Sequence, residues 1–163
     1  MMNSDLRFRT TMNSEVEKEL AGFPVVVPIV VRFRDLDPMG HVNNAVYFTY
    51  LETARVAYYQ KLGKGRTARD FDFVLAEVTC RYRSPASLGE TLLVGIRVPW
   101  VGSKSFGFEY RIYEQTAGRL VAEGSSVQVM YDYERQQTKR VTDEFVAAVE
   151  ALEGHRVSRR RRA

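Results

Sequence analysis

Four stretches between residues 73 and 133 alternate apolar and polar side chains at a period of two, and the breaks between them, at 84–90, 101–104 and 116–118, are short. Parallel neighbours need a crossover of about a dozen residues or more, so breaks of this length leave antiparallel pairing. In the first stretch Val74, Ala76, Val78, Cys80 and Tyr82 share one face, while Glu77, Thr79, Arg81 and Arg83 share the other. Leu92, Val94, Ile96, Val98 and Trp100 repeat the pattern, as do Phe106, Phe108, Tyr110 and Ile112, and a last strand is expected over 120–133. An antiparallel sheet with one covered face implies an α+β domain rather than a doubly wound one.

The cover is readable upstream. Tyr47, Tyr50, Leu51, Ala54 and Tyr58 fall at helical spacing, and Gly63 offers a stop, which predicts one long central helix. Before it, "FPVVVPIVVRF" at 23–33 reads as a strand, with Pro28 pointing to an edge position. Thr142 and Gly154 bracket a C-terminal helix that turns Phe145, Val149 and Leu152 toward the protein. Residues 1–22 read as a flexible leader, with a short helix signalled by Ser14 and Glu17. A single domain is then expected over 23–154, followed by a flexible basic tail at 155–163.

The net charge of +4 belongs to that tail, because Arg156 and Arg159 to Arg162 account for all of it. The fold itself is close to neutral, so nucleic acid is not an expected partner. Cys80 is the only cysteine, which excludes an intramolecular disulfide framework and fits a reducing cytoplasm. With His41 and His155 the only histidines, neither a metal site nor a cofactor is expected. The first 22 residues carry no apolar run, and the longest one, at 25–31, is interrupted by Pro28, so no membrane span is expected.

Between the first strand and the long helix lies "RDLDPMGHVNN", residues 34–44. Asp35, Asp37, Pro38, Gly40, Asn43 and Asn44 are turn formers, yet a turn rarely needs so many polar groups. Asn43 or Asn44 stands where an N-cap belongs. Arg32 and Arg34 are near enough in sequence to neutralise Asp35. Gly40 suits a positive φ or the close approach of a ligand.

Extended to 55, "DLDPMGHVNNAVYFTYLETAR" resembles the signature of hot-dog fold acyl-CoA thioesterases of the 4-hydroxybenzoyl-CoA thioesterase type, and the downstream strand order agrees. The resemblance implies a curved antiparallel sheet of about five strands wrapped around the long helix. It also implies a homodimer or dimer of dimers with sites at subunit interfaces. It assigns Asp37 as nucleophile or general base on an acyl-CoA thioester, with the Asn44 backbone N–H polarising the carbonyl. His41 would orient a water or the carboxylate, Gly40 and Tyr47 would meet the substrate, and Lys104 with Ser105 would meet CoA phosphates. Glu52 is a candidate orienting group on the helix. The rival readings are a thioesterase of the same fold acting on acyl carrier protein, and a non-catalytic acyl-CoA binding protein.

Overall fold

The computed structural model describes residues 12–160. In chain order the elements are α1 (Ser14–Leu20), β1 (Val25–Val30), α2 (Val46–Lys61), β2 (Phe73–Tyr82), β3 (Thr91–Val101), β4 (Ser105–Glu114), β5 (Leu120–Asp132), β6 (Gln137–Thr138), α3 (Asp143–Glu153) and β7 (Ser158–Arg159). The five long strands form one antiparallel sheet in the order β1-β3-β4-β5-β2, with β6 added to β5 and β7 paired in parallel with β3. Helix α2 lies against the sheet's inner face, which is the arrangement the hot-dog resemblance implies.

The predicted face of α2 is the buried one: Tyr47, Tyr50, Leu51, Ala54 and Tyr58, joined by Tyr59. Tyr58 meets Phe108 edge-on with ring centroids 5.1 Å apart, and Tyr59 stacks on Phe71 at 5.4 Å. Such aromatic pairs add roughly 0.5–1.5 kcal/mol each beyond area burial. The helix ends where Gly63 takes φ +76°, a left-handed conformation glycine adopts without a Cβ clash. Pro28 sits, as expected, on the edge strand β1.

Strand β2 departs from its expected alternation. Its register against β5 shifts between Leu75 and Glu77, so the chain gains a residue there and the faces exchange. Leu75 and Tyr82 remain 44% and 46% exposed, because β2 is an edge strand of the sheet.

Both ends of the chain are more built than their composition suggests. Residues 1–11 of the expected leader lie outside the described residues, but from 12 onward the segment docks on the sheet's outer face. Asn13, not Ser14, caps α1, its Oδ1 accepting the Glu15 N–H at 2.9 Å. Val16, Leu20 and Phe23 then bury Leu93 and Tyr113, side chains a one-faced sheet would leave in water. Gly95 makes room for this packing, since a Cβ there would fall 2.7 Å from Leu20 Cδ2. In the expected tail, 161–163 lie outside the described residues, whereas Val157 is buried and β7 pairs with Trp100 and Val101. A polar pattern concealed both segments because each contributes only a few apolar residues to a surface formed by other strands.

A buried carboxylate fixes the approach to α2. Asp35, 3% exposed, ends a 3₁₀ turn at Phe33–Asp35. Its Oδ2 accepts from the Arg32 N–H, from Arg32 Nε and from Tyr50 Oη at 2.9, 3.1 and 2.9 Å, while Oδ1 accepts from Arg32 Nη2 at 2.9 Å. Burial alone would raise the Asp35 pKa, but the Arg32 guanidinium and backbone N–H and the Tyr50 hydroxyl together hold it below the ordinary carboxylate value.

These interactions set two expectations for stability. Asp35→Asn should cost about 2 kcal/mol in urea denaturation at neutral pH, the scale of hydrogen bonds to a charged group. Because the folded-state pKa is the lower one, this advantage of the wild type is full above the unfolded value near ~3.9 and shrinks as pH falls through the folded value. Leu20→Ala should cost about 2–3 kcal/mol by the same measurement, because the truncation removes apolar packing at a buried site.

Candidate active site

Beyond Asp35 the chain forms a small hairpin. Leu36 and Val42 make an antiparallel bridge, Asp37 N–H donates to His41 C=O at 2.8 Å, and Asn43 N–H donates to Asp35 C=O at 2.9 Å. The tip is a tight turn in which Gly40 N–H donates to Asp37 C=O at 3.0 Å. Gly40 has φ +81°, and a Cβ there would meet nothing within 4 Å, so its requirement is conformational rather than spatial. A second bridge, His41 to Ser87, and the Val42 N–H bond to Ala86 C=O at 2.9 Å tie the hairpin to the segment before β3.

Asp37 is half-buried, and its Oδ1 accepts the Met39 N–H at 2.9 Å. Its second oxygen has no hydrogen bond among the described residues, which leaves a directed lone pair for a water or an electrophile. His41 is exposed, and its ring makes no hydrogen bond among the described residues. Exposed Val30, Phe33, Met39 and Leu88 lie at this same end of the molecule and give the hairpin an apolar surround.

The hairpin runs directly into α2. Asn43, rather than Asn44, closes the helix start: its Oδ1 accepts the Ala45 N–H and its C=O accepts the Val46 N–H, both at 2.9 Å. Asn44 is exposed, and its C=O accepts from Tyr82 Oη at 2.8 Å. Its N–H donates to no group among the described residues. The first turn of α2 has no acidic side chain, in contrast to α1 and α3, so the positive end of its dipole is not compensated there. One short segment therefore presents a carboxylate and an unfilled donor beside a positive helix end, a combination suited to attack on a carbonyl with stabilisation of the resulting oxyanion.

The remaining candidates are placed elsewhere. Tyr47 is 3% exposed and packs edge-on against Tyr50 and Tyr82, so it sits in the core, where burial pushes its pKa up to about 12. Lys104 and Ser105 start β4 beside Val129 and Met130, whereas the hairpin end of the sheet carries Tyr82, Ile112 and Ala122. Within one chain they are thus at the far end of the sheet from Asp37. Glu52 is exposed on the flank of α2, lining a cavity of about 280 Å3 with Arg55, Val56, Phe71, Phe73 and Leu75.

Two buried or linking polar groups are not evident in the sequence, one at the hairpin and one in the core. Alternation puts Tyr82 on the core face of its strand, and only the fold carries its hydroxyl to Asn44. Arg55, the last residue of the quoted signature, is 7% exposed and donates to Tyr110 Oη at 3.2 Å, with no carboxylate partner among the described residues. Its place one turn beyond Leu51 on the apolar helix face is the available signal. Among the described residues no group of three His, Cys, Asp or Glu side chains is placed to hold a metal ion, and no helix is long and apolar enough to cross a membrane.

Residues 31–149 match the thioesterase-like superfamily. Long-chain acyl-CoA thioesterase FadM of Escherichia coli is 29% identical over 126 residues, covering 76% of this chain and 96% of that protein. A Thermus thermophilus thioesterase solved in complex with coenzyme A and zinc superposes with a TM-score of 0.77 at 35% identity, covering 83% of this chain and 98% of that one. The acyl-acyl carrier protein thioesterase ATL3 of Arabidopsis thaliana is 27% identical over 109 residues, 65% of this chain and 57% of its own. The curled antiparallel sheet around α2 and a match that spans the whole segment from the end of β1 into α3 establish that the chain belongs to the thioesterase-like superfamily.

Proposed function

We propose that the protein hydrolyses acyl-CoA thioesters to the free acid and CoA. The observation that carries this reading is the Asp37 carboxylate held by its hairpin beside the uncompensated N-terminus of α2. Asp37 acts on the thioester carbonyl either directly, forming an anhydride that water then opens, or by taking a proton from the attacking water. In both routes negative charge develops on the carbonyl oxygen, and the Asn44 N–H with the positive helix end stabilises it. His41 beside Asp37 orients the water, and the exposed apolar side chains around the hairpin suit an acyl chain. The likeness to FadM and to a CoA-bound thioesterase supports CoA as the thiol carrier. The likeness to ATL3 makes acyl carrier protein the second reading.

The active unit is a two-fold dimer formed through β2. That strand is 10 residues long, is one of the sheet's two edges, contains neither the proline that the other edge, β1, carries nor any lysine, and leaves Leu75 exposed beside the cavity lined by Arg55. Such an edge is a template for another strand. A two-fold axis pairs β2 with its copy in antiparallel fashion, bringing the Phe73 end of one protomer to the Tyr82 end of the other. Lys104 shares the Phe73 end, because Val129 pairs with both Val74 and Ser105. The dimer therefore turns Lys104 and Ser105 toward the Asp37 hairpin of the other subunit, which a single chain does not do.

Asp37→Asn should lower free-thiol release from a panel of short, long and aromatic acyl-CoAs by about a hundredfold in kcat, with KM little changed. Equal turnover in mutant and wild type would refute the assigned role. Leu75→Asp should convert the dimer to monomer by sedimentation and remove activity with it; a fully active monomer would exclude a site completed across the two-fold.

A further inference from the structure

The C-terminal segment ends in an interaction that the family match does not include, since that match stops at residue 149. After α3 the chain buries Val157, pairs Ser158 and Arg159 with Trp100 and Val101, and bonds Arg160 N–H to Val101 C=O at 3.0 Å. The Arg160 guanidinium then lies over the Trp100 ring, 4.2 Å from its centroid. The indole is held from below by β4: a Cβ at Gly107 would fall 2.2 Å from Trp100 Nε1, so only glycine lets the ring lie this close to the strand. Arg160 thus sits over an indole that is itself packed against β4.

Arg160 forms one wall of a cavity of about 300 Å3 shared with Trp100, Ser103, Lys104, Ser105 and Thr138. Two cations and three hydroxyls line it, and no carboxylate among the described residues does. Lys104 Nζ is turned toward Thr138 Oγ1 at 3.1 Å rather than toward an acid. A cleft with two cations and no acid beside them, one of the cations a pre-positioned planar fork, suits phosphate oxygens.

We infer that the C-terminal segment makes this cleft a phosphate-reading site, in which Arg160 and Lys104 together bind the phosphates of the CoA nucleotide. The inference rests on the acyl-CoA reading of the active site and adds to it a specificity residue, Arg160, supplied from beyond the matched family segment. Arg160 is a binding residue here, with no part in the chemical step.

The test compares an acyl-CoA with the same acyl group on pantetheine, which lacks the nucleotide, in wild type and Arg160→Ala of equal thermal midpoint. Arg160→Ala is expected to raise KM for the acyl-CoA about tenfold with kcat held, and to leave KM for the pantetheine thioester where it was. Arg160→Lys, which keeps the charge and loses the fork, should recover part of the difference. An equal change for both substrates, or none for either, overturns the inference while the hydrolase reading stands. A loss confined to an acyl carrier protein substrate also overturns it, in favour of an acidic protein surface. Should wild type hydrolyse no CoA thioester, the hydrolase reading fails, and calorimetry with adenosine 3′,5′-bisphosphate decides the site. Binding that Arg160→Ala abolishes upholds the site, and no binding to wild type refutes it.

Discussion

The Asp35 carboxylate joins three successive segments of the chain. Arg32 follows β1, Tyr50 lies on the second turn of α2, and the Asp35 backbone oxygen receives the Asn43 N–H that begins the helix cap. A charge this buried is tolerated only when its oxygens are filled, and here both are. With it in place, the next residues have little freedom: the strand must turn, and Asp37 emerges two residues later on a closed hairpin. The buried carboxylate, Asp35, thus has both oxygens filled, whereas the second oxygen of Asp37 has no hydrogen bond among the described residues.

Helix α2 serves two physical roles at once. Its aromatic face fills the hollow of the sheet, where Tyr58, Tyr59, Phe106 and Phe108 pack as edge-on and stacked rings. That burial sets the helix axis, and therefore where its N-terminus points. The terminus itself is closed by Asn43 with a short-range turn and carries no acidic residue in its first turn, so its electrostatic field is available to a substrate. One helix thus carries the core on its flank and an uncompensated dipole at its tip.

The chain adds to this frame at both of its ends, with α1 on the outer face of the sheet and β7 paired to β3. Helix α1 covers Leu93 and Tyr113, and β7 brings Arg160 over Trp100. Each addition is seated on a glycine, Gly95 under Leu20 and Gly107 under Trp100, at which a Cβ would collide. Helix α1 forms a cluster separate from the packing between helix and sheet, whereas Val157 joins that packing from the C-terminal side. Neither addition contacts the hairpin through a hydrogen bond among the described residues.

The period-two stretches, the apolar face of α2 and the stops at Gly63 and Gly154 were legible because they follow from side-chain alternation and backbone freedom, which are local properties. The motif at 34–55 likewise named the hairpin residues, since turn chemistry and capping depend on near neighbours. Local pattern could not reveal the bulge in β2, the burial of Leu93 or the seating of residues 157–160, each of which depends on what lies across the sheet. Nor could it show that Lys104 stands at the opposite end of the sheet from Asp37. Sequence alone determined the long strands, the central and C-terminal helices and the polar residue types at the turn between β1 and α2. Which of those groups share a space was decided by the tertiary structure, because distance across a sheet is set by strand order and register rather than by separation along the chain.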